Sequence, residues 1–533
     1  MTAGRLARAA AVVALLGLLS RALGFVREVV ISAAYGATGP ADAFVSALFL
    51  VNTIAAVLLY TVVTLVIPVF QQERERAGND SAWGLVSALT IWVGMGLVVL
   101  ATLIGAWPEA FTTMFALGGG RAAAAEDLIR IMAPAAMLQG FSALATALLQ
   151  IHGRFAGPAA VGVAFNLGII VAIAIGQGAI GIEAAGWGVT AGAVLQIALQ
   201  MPQLVRVLRR AGARPVLAHP RLRATAMLAV PVLGASVLQQ INGFTDRLFA
   251  NTLEEGRTAA LGYANALGSA PRTALLFPLL TPLFPVVAGM LAERRDSDAL
   301  RAFGRAAGLL ALAAAPLTAL IALYPDEIAR IAFGRRSCDD YCVDQTAAPL
   351  LFYGLAIWGN FLGYLVNRTL AAANAARDIL VATAIGVPLT IALDVALLGP
   401  LDQAGLALAS AVAVYATTAI TLVMLRRRLP ALSLRALGAR QVRLLACAAL
   451  GAGVAVLVGL AVPAGDARGW ELGGHLALRV VALLGSYLAA AVAIAPDELA
   501  EGRRALRGLL PGGRRSHTVR TSPAALPEDT ADG

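Results

Sequence analysis

The chain has 533 residues, is 59% hydrophobic and only 14% charged, and carries a formal net charge of +10. Soluble domains run to ~45–50% apolar and ~25% charged residues, so this composition excludes an ordinary water-soluble domain and describes a chain solvated mostly by lipid. A basic balance also invites a nucleic-acid partner. None is expected here, because the arginines alternate with apolar spans and do not gather on one folded face.

Fourteen stretches approach the ~20 apolar residues needed to cross hydrocarbon. They fall at 9–34, 42–69, 83–107, 127–151, 157–179, 182–205, 224–250, 258–290, 303–324, 347–372, 378–399, 403–425, 441–463 and 475–496. The fold class is therefore an all-α polytopic membrane protein. The first stretch follows Arg5 and Arg8 like a secretory leader, but no clean small-residue cleavage site ends it, so it reads as a span. The eighth carries Pro271, Pro278, Pro282 and Pro285 and must be kinked or broken.

With the N-terminus in the cytoplasm, alternation puts 26 arginines in inside segments and six outside, namely Arg121, Arg257, Arg330, Arg335, Arg336 and Arg468. This asymmetry has the sense of the positive-inside rule and an even span count, so both termini are expected in the cytoplasm of a bacterial inner-membrane protein. The outside loop after span nine holds Cys338 and Cys342, which are either a short disulfide or two free thiols; Cys447 reads as packing.

Two stretches echo at one offset. Gly24-Phe25-Val26-Arg27-Glu28 matches Gly243-Phe244-Thr245-Asp246-Arg247, and the segment opening at Ile182 matches the one opening at Asp402. The offsets, near 220 residues, indicate a duplicated six-helix unit with a solute site between the copies. The expected organisation is a six-helix lobe over 1–206, a basic linker over 207–222, a second lobe over 223–428, two additional spans within 429–497, and a disordered cytoplasmic tail over 498–533.

A charge at the bilayer centre costs ~2.5–3.5 kcal/mol or more and therefore faces a cavity or a partner. In span one, Arg21 and Glu28 share a helix face and Arg27 lies about 120° away. One cavity receives both arginines only if it is wide or if the helix bends at Gly24. A cationic wall for a diphosphate suits this geometry; the competing structural account is an Arg–Glu pair with Arg21 snorkelling. Asp42 reads structurally as an acid at a helix N-terminus. Asp246 and Arg247 read as mutually neutralising, Arg272 as a cavity residue beside Pro271, and Arg368 as snorkelling. Asp394 reads as a lone carboxylate that is protonated or cation-bound, one turn from Thr390.

These residues carry a family resemblance. Leu19-Ser20-Arg21-Ala22-Leu23-Gly24-Phe25-Val26-Arg27-Glu28, Tyr35-Gly36-Ala37 and Ala41-Asp42-Ala43-Phe44 resemble the opening of the MurJ/MviN lipid II flippases. Asn52, Ile67-Pro68-Val69-Phe70, Thr245-Asp246-Arg247-Leu248 and Gly262-Tyr263-Ala264-Asn265-Ala266-Leu267 continue it. The resemblance spans essentially the whole chain. It implies a flippase for the undecaprenyl-diphosphate-linked peptidoglycan precursor, lipid II, working by alternating access, with membrane lipids and cell-wall synthesis proteins as partners and no catalysis. It implies a solute site built from Arg21, Arg27, Asp42, Asn52, Asn265 and Arg272, and no cofactor other than sodium coupling through Asp246, Thr390, Asp394 and Ser410.

The chain departs from the family where a basic pair is usual in span two (here Ala55 and Ala56) and where an arginine is usual in span eight (here Ala266). Arg272, two turns on, stands in for the latter. These departures keep three alternatives open: export of another lipid-linked glycan, ion-coupled antiport of a small molecule, and a non-transporting scaffold.

Overall fold

The computed structural model describes residues 3–212, 215–272, 276, 283–463, 467 and 469–509. Among them it is helical, with no strand. The helices are α1 (Ala3–Tyr35), α2 (Gly39–Ala106), α3 (Pro108–Met114), α4 (Gly119–Ile151), α5 (Ala156–Ile180), α6 (Glu183–Ala211), α7 (Leu222–Leu238), α8 (Ile241–Ala250), α9 (Arg257–Pro271), α10 (Leu283–Ala292), α11 (Asp296–Leu323), α12 (Pro325–Phe333), α13 (Asp340–Ala372), α14 (Ala376–Arg428), α15 (Leu434–Ala461), α16 (Trp470–Ile494) and α17 (Pro496–Leu509).

Ten described helices, counting Leu222–Ala250 as one, are long and apolar enough to cross a membrane. Two hold two crossings each. The 68 residues of α2 break at Gly78 (φ 85°), and the 53 residues of α14 break at Asp402. α1, which carries Arg21, Arg27 and Glu28 midway, and the pair α9 and α10 occupy the places of the first and eighth expected spans. Pro271 closes α9 and Pro285 lies in α10, whereas Pro278 and Pro282 fall outside the described residues. The backbone needs no bend at Gly24, because α1 is continuous through it.

The sequence echo has a backbone counterpart. The turn between α5 and α6 passes through Gly181 at φ 59°, ψ −135°, and α14 breaks at Asp402 at φ 49°, ψ −134°, 221 residues later. Glycine adopts this region freely, whereas a side chain makes it costly. Asp402 is held there by its carboxylate, which accepts from Arg257 at 2.5 Å.

The seam that positions the site lies at the end of the bundle bearing Cys338 and Cys342, which are joined by a disulfide. Here the first half meets the second through Tyr263, whose hydroxyl donates to the Gly36 carbonyl at 2.8 Å, and through Ser337, whose backbone N–H donates to Ala33 at 3.2 Å. Asn251 is fully buried. It accepts from Ser46 and Thr258, both at 3.0 Å, and donates to the Phe115 carbonyl at 3.1 Å. Phe333 packs against Phe25 and Tyr263, with ring centroids 6.2 and 5.2 Å apart. Fully satisfied buried polar groups surrounded by apolar rings make a rigid closure.

At the opposite end, Glu73 lies in the exposed, charged stretch 71–80 between the two crossings of α2. Its carboxylate accepts from Arg221 at 2.8 Å and from Ser81 at 2.7 Å, which ties α2 to the start of α7.

The last two spans are fastened to α11, α12 and α13. Trp358 Nε1 donates to Gln441 at 2.8 Å, Arg440 donates to the Gly304 carbonyl at 2.7 Å, and Arg479 donates to Glu327 at 2.7 Å. The tail departs from expectation. Residues 498–509 belong to helix α17, where fully buried Glu498 pairs with Arg440 at 3.2 Å and Arg443 at 3.1 Å. Two fixed cations draw a carboxylate out of water and give this stretch a reason to fold. The remainder of the tail lies outside the described residues.

Candidate functional site

Below the sealed seam, α1, α2, α8 and α9 enclose a cavity of about 400 Å³. Its polar lining includes Arg21, Arg27, Glu28, Asn52, Arg247 and Asn265, and its apolar floor includes Phe25, Phe44 and Phe49. Both α1 arginines reach it because it is wide: an uninterrupted helix presents two faces to one space.

Arg27 is the more constrained of the two. One guanidinium nitrogen donates to Asn166 Oδ1 at 3.1 Å and another contacts Glu28. Asn166, on α5, uses its amide to donate to the carbonyls of Ser20 at 3.1 Å and Gly162 at 2.8 Å. Gly24 lies under it, and a Cβ there would stand 3.7 Å from Asn166 Nδ2. Arg27 is thus both paired with Glu28 and part of the cavity wall, so the two accounts weighed from sequence coexist. Asn166 carries no charge and matches no motif, so only tertiary contact reveals it.

Asp246 and Arg247 act on each other through charge but make no direct ion pair. Neighbours on α8, they point into different spaces, and no ion pair joins them among the described residues. Arg247 lines the central cavity, 5.6 Å from the Phe49 ring centroid, and donates to the Thr258 carbonyl at 3.4 Å. Asp246 lines a second cavity of about 200 Å³ with Asn265, Arg272 and Ser410. Asn265 and Ser269 line both, so one turn of α9 is the partition.

Asp42 lies outside the cavity lining. Fully buried in the seam, it accepts from the backbone N–H groups of Gly256 and Ala259, both at 2.7 Å, and stands 3.7 Å from Arg121. It therefore meets a helix N-terminus, as expected, but mainly that of α9 in the other half. Arg272 lines the second cavity and donates to Asn360 at 3.4 Å. Arg368 does not enter either space; it donates to the Tyr364 hydroxyl at 2.7 Å and lies over the Tyr364 and Phe284 rings.

Of the four residues with cation-ligand chemistry, Asp246 and Ser410 line the second cavity. Thr390 and Ser410 line a third of about 250 Å³. Asp394 is fully buried, and neither of its carboxylate oxygens has a hydrogen-bond partner; Asp246 Oδ1 is likewise unpartnered. Such groups require a proton or a cation. Among the described residues no three or more His, Cys, Asp or Glu side chains converge as a metal site. Carboxylate and hydroxyl oxygens suit hard cations rather than transition metals, but Asp246 and Thr390 line different cavities and Asp394 lines neither.

An all-helical bundle closed at one end over a cationic chamber defines a polytopic membrane transporter. Solved structures agree on the fold. "Lipid II flippase MurJ, inward closed conformation" superposes with a TM-score of 0.76 at 16% identity, over 91% of this chain and 99% of that one. An inward-facing multidrug resistance MATE transporter of the MOP superfamily gives 0.65 at 14% identity, over 77% and 95%.

The sequence model for lipid II flippase MurJ matches residues 31–464, and the chain belongs to that family. A lipid II flippase MurJ of Burkholderia cenocepacia is 27% identical over 429 residues, 77% of this chain and 82% of the relative. A probable one from Synechocystis is 25% identical over 454 residues, 80% and 83%.

Proposed function

We propose that the chain moves lipid II, the undecaprenyl-diphosphate-linked peptidoglycan precursor, from the inner to the outer leaflet of the bacterial cytoplasmic membrane. The observation that carries this reading is the chamber between the halves, where Arg21, Arg27 and Arg247 converge beneath a sealed end. Guanidinium groups match diphosphate oxygens, and the volume falls in the range of ligand sites, ~300–1,000 Å³. Closure at the disulfide-bearing end fits one state of an alternating-access cycle. The arginine asymmetry supports cytoplasmic termini and an outward-facing disulfide loop. The orphaned carboxylates support sodium coupling, with Asp246, Thr390, Asp394 and Ser410 as the residues that would hold the ion.

The test is rescue of cells depleted of their essential lipid II flippase. This chain should restore growth and Arg27→Ala should not, at equal membrane insertion. Failure of the unaltered chain to rescue, while properly inserted, would remove lipid II as the solute. Full rescue by Arg27→Ala would remove the cationic chamber as its site.

A further inference from the structure

Arginine is disfavoured in outside segments, yet six occur there, and most of the described ones are accounted for. Arg121 reaches Asp42 and the Leu253 carbonyl, Arg257 binds Glu254 and Asp402, and Arg330 pairs with Asp340. Arg335 and Arg336 differ. Adjacent and exposed, they have no carboxylate partner among the described residues; the Arg335 guanidinium donates to the Ile331 carbonyl at 3.0 Å. Both line a cavity of about 650 Å³, whose facing wall is Gly469, Trp470, Leu472 and Gly473. Arg330, Asp339 and Asp340 line it too; Asp340 is paired with Arg330, and Asp339 accepts from the backbone N–H of Cys342 at 3.0 Å.

The loop bearing the pair is fixed by the Cys338–Cys342 disulfide and by Ser337, which bonds Ala33 and Ala34 on α1. Arg336 is itself held at φ 50°. Trp470 is 97% exposed, as befits an aromatic side chain at a membrane–water interface.

We propose that this cavity is a second anion site, which holds the phosphate-bearing headgroup of a lipid in the outer leaflet. Arg335 and Arg336 engage the phosphate oxygens, and Trp470 lies against the interfacial part of the lipid. Two guanidinium groups without a carboxylate partner, on a braced loop, match phosphate geometry at little ordering cost. The inference rests on the orientation given above and not on the identity of the transported solute. The loop's bonds to α1 place the site beside the chamber's sealed mouth.

The experiment is native mass spectrometry of the full chain carrying Arg27→Ala, which weakens the central chamber, with phosphatidylglycerol, undecaprenyl diphosphate or uncharged diacylglycerol added. Phosphate lipids should be retained and diacylglycerol should not. Arg335→Gln with Arg336→Gln should lower retention about tenfold, with the melting temperature and disulfide unchanged. Trp470→Ala, which leaves the charges in place, should lower it too. Preferential retention of the diphosphate lipid assigns the site to the departing solute, and equal retention assigns it to bulk anionic lipid; both support a phosphate site. Undiminished retention in the double variant and in Trp470→Ala, or equal retention of diacylglycerol, overturns it. Growth rescue plays no part in this readout, so failure of the proposed function would be seen separately.

Discussion

Arg27 donates to Asn166 Oδ1 at 3.1 Å across the α1–α5 interface, and the same asparagine anchors itself on the Ser20 and Gly162 carbonyls. The guanidinium in the chamber is therefore aimed by a residue that does not line it. Asn166→Ala should retain the charge but lose its direction, lowering flipping about tenfold in reconstituted vesicles, the low end of the ~1.5–3 kcal/mol of a hydrogen bond to a charged group. Arg27→Ala should lower it further. Equal activity of Asn166→Ala and the unaltered chain would dissociate aim from transport.

Asp42 joins the halves by accepting from two N–H groups of the other half's helix. Asp42→Ala leaves those donors buried and unpaired, which should cost about 2 kcal/mol. The cost falls on the sealed state, so a cysteine placed at Gly262 should become more reactive to a membrane-impermeant thiol reagent from the disulfide-bearing side. Unchanged labelling would show that the seam does not depend on this carboxylate.

Glu73 bears on acid stability. The Ser81 hydroxyl, and then the Arg221 guanidinium, hold its carboxyl below the usual carboxylate range. A depressed folded-state pKa gives stability that is fully present above the unfolded value, about 4.3, and lost as pH falls through the folded value. Against Glu73→Gln, the chain should be more stable by about 1–2 kcal/mol at pH 6–7, the part-exposed Arg221 keeping the figure low. That advantage should shrink below about pH 4. Thermal melts from pH 3 to 7 measure the difference, and a gap that does not change with pH would contradict this assignment.

Asp394 has two buried carboxylate oxygens and no partner for either. Replacing choline chloride with sodium chloride at equal ionic strength should raise the melting temperature of the unaltered chain. Asp394→Asn should abolish that response and raise the melting temperature in choline. A sodium response that survives in Asp394→Asn would place the ion elsewhere.

Much of the architecture was legible because lipid imposes a strict code: apolar length gave the crossings, and the breaks at Gly181 and near Asp402 showed as interruptions in them. Individual charges were less legible. Helix periodicity placed Arg21 and Arg27 on different faces of α1, but not the width of the space those faces share. Adjacent Asp246 and Arg247 looked like a pair because sequence carries no record of which wall each side chain joins. Asp42 was assigned to a helix N-terminus correctly in kind, but the helix it mainly serves begins more than 200 residues away. Asn166 gave no signal, since an uncharged amide in an apolar helix acquires its meaning only from the arginine beside it.

Helix α9 has 15 residues, about 22 Å, and two of its features lie along that length. Its first turn is gripped by Asp42, and its middle forms the partition between the chamber and the side cavity that holds Asp246. A rigid rod cannot release one end and keep its midpoint still. Pulling it free of Asp42 would reshape both spaces in a single stroke, so that unsealing the mouth, loosening the solute and disturbing the carboxylate pocket become one mechanical event.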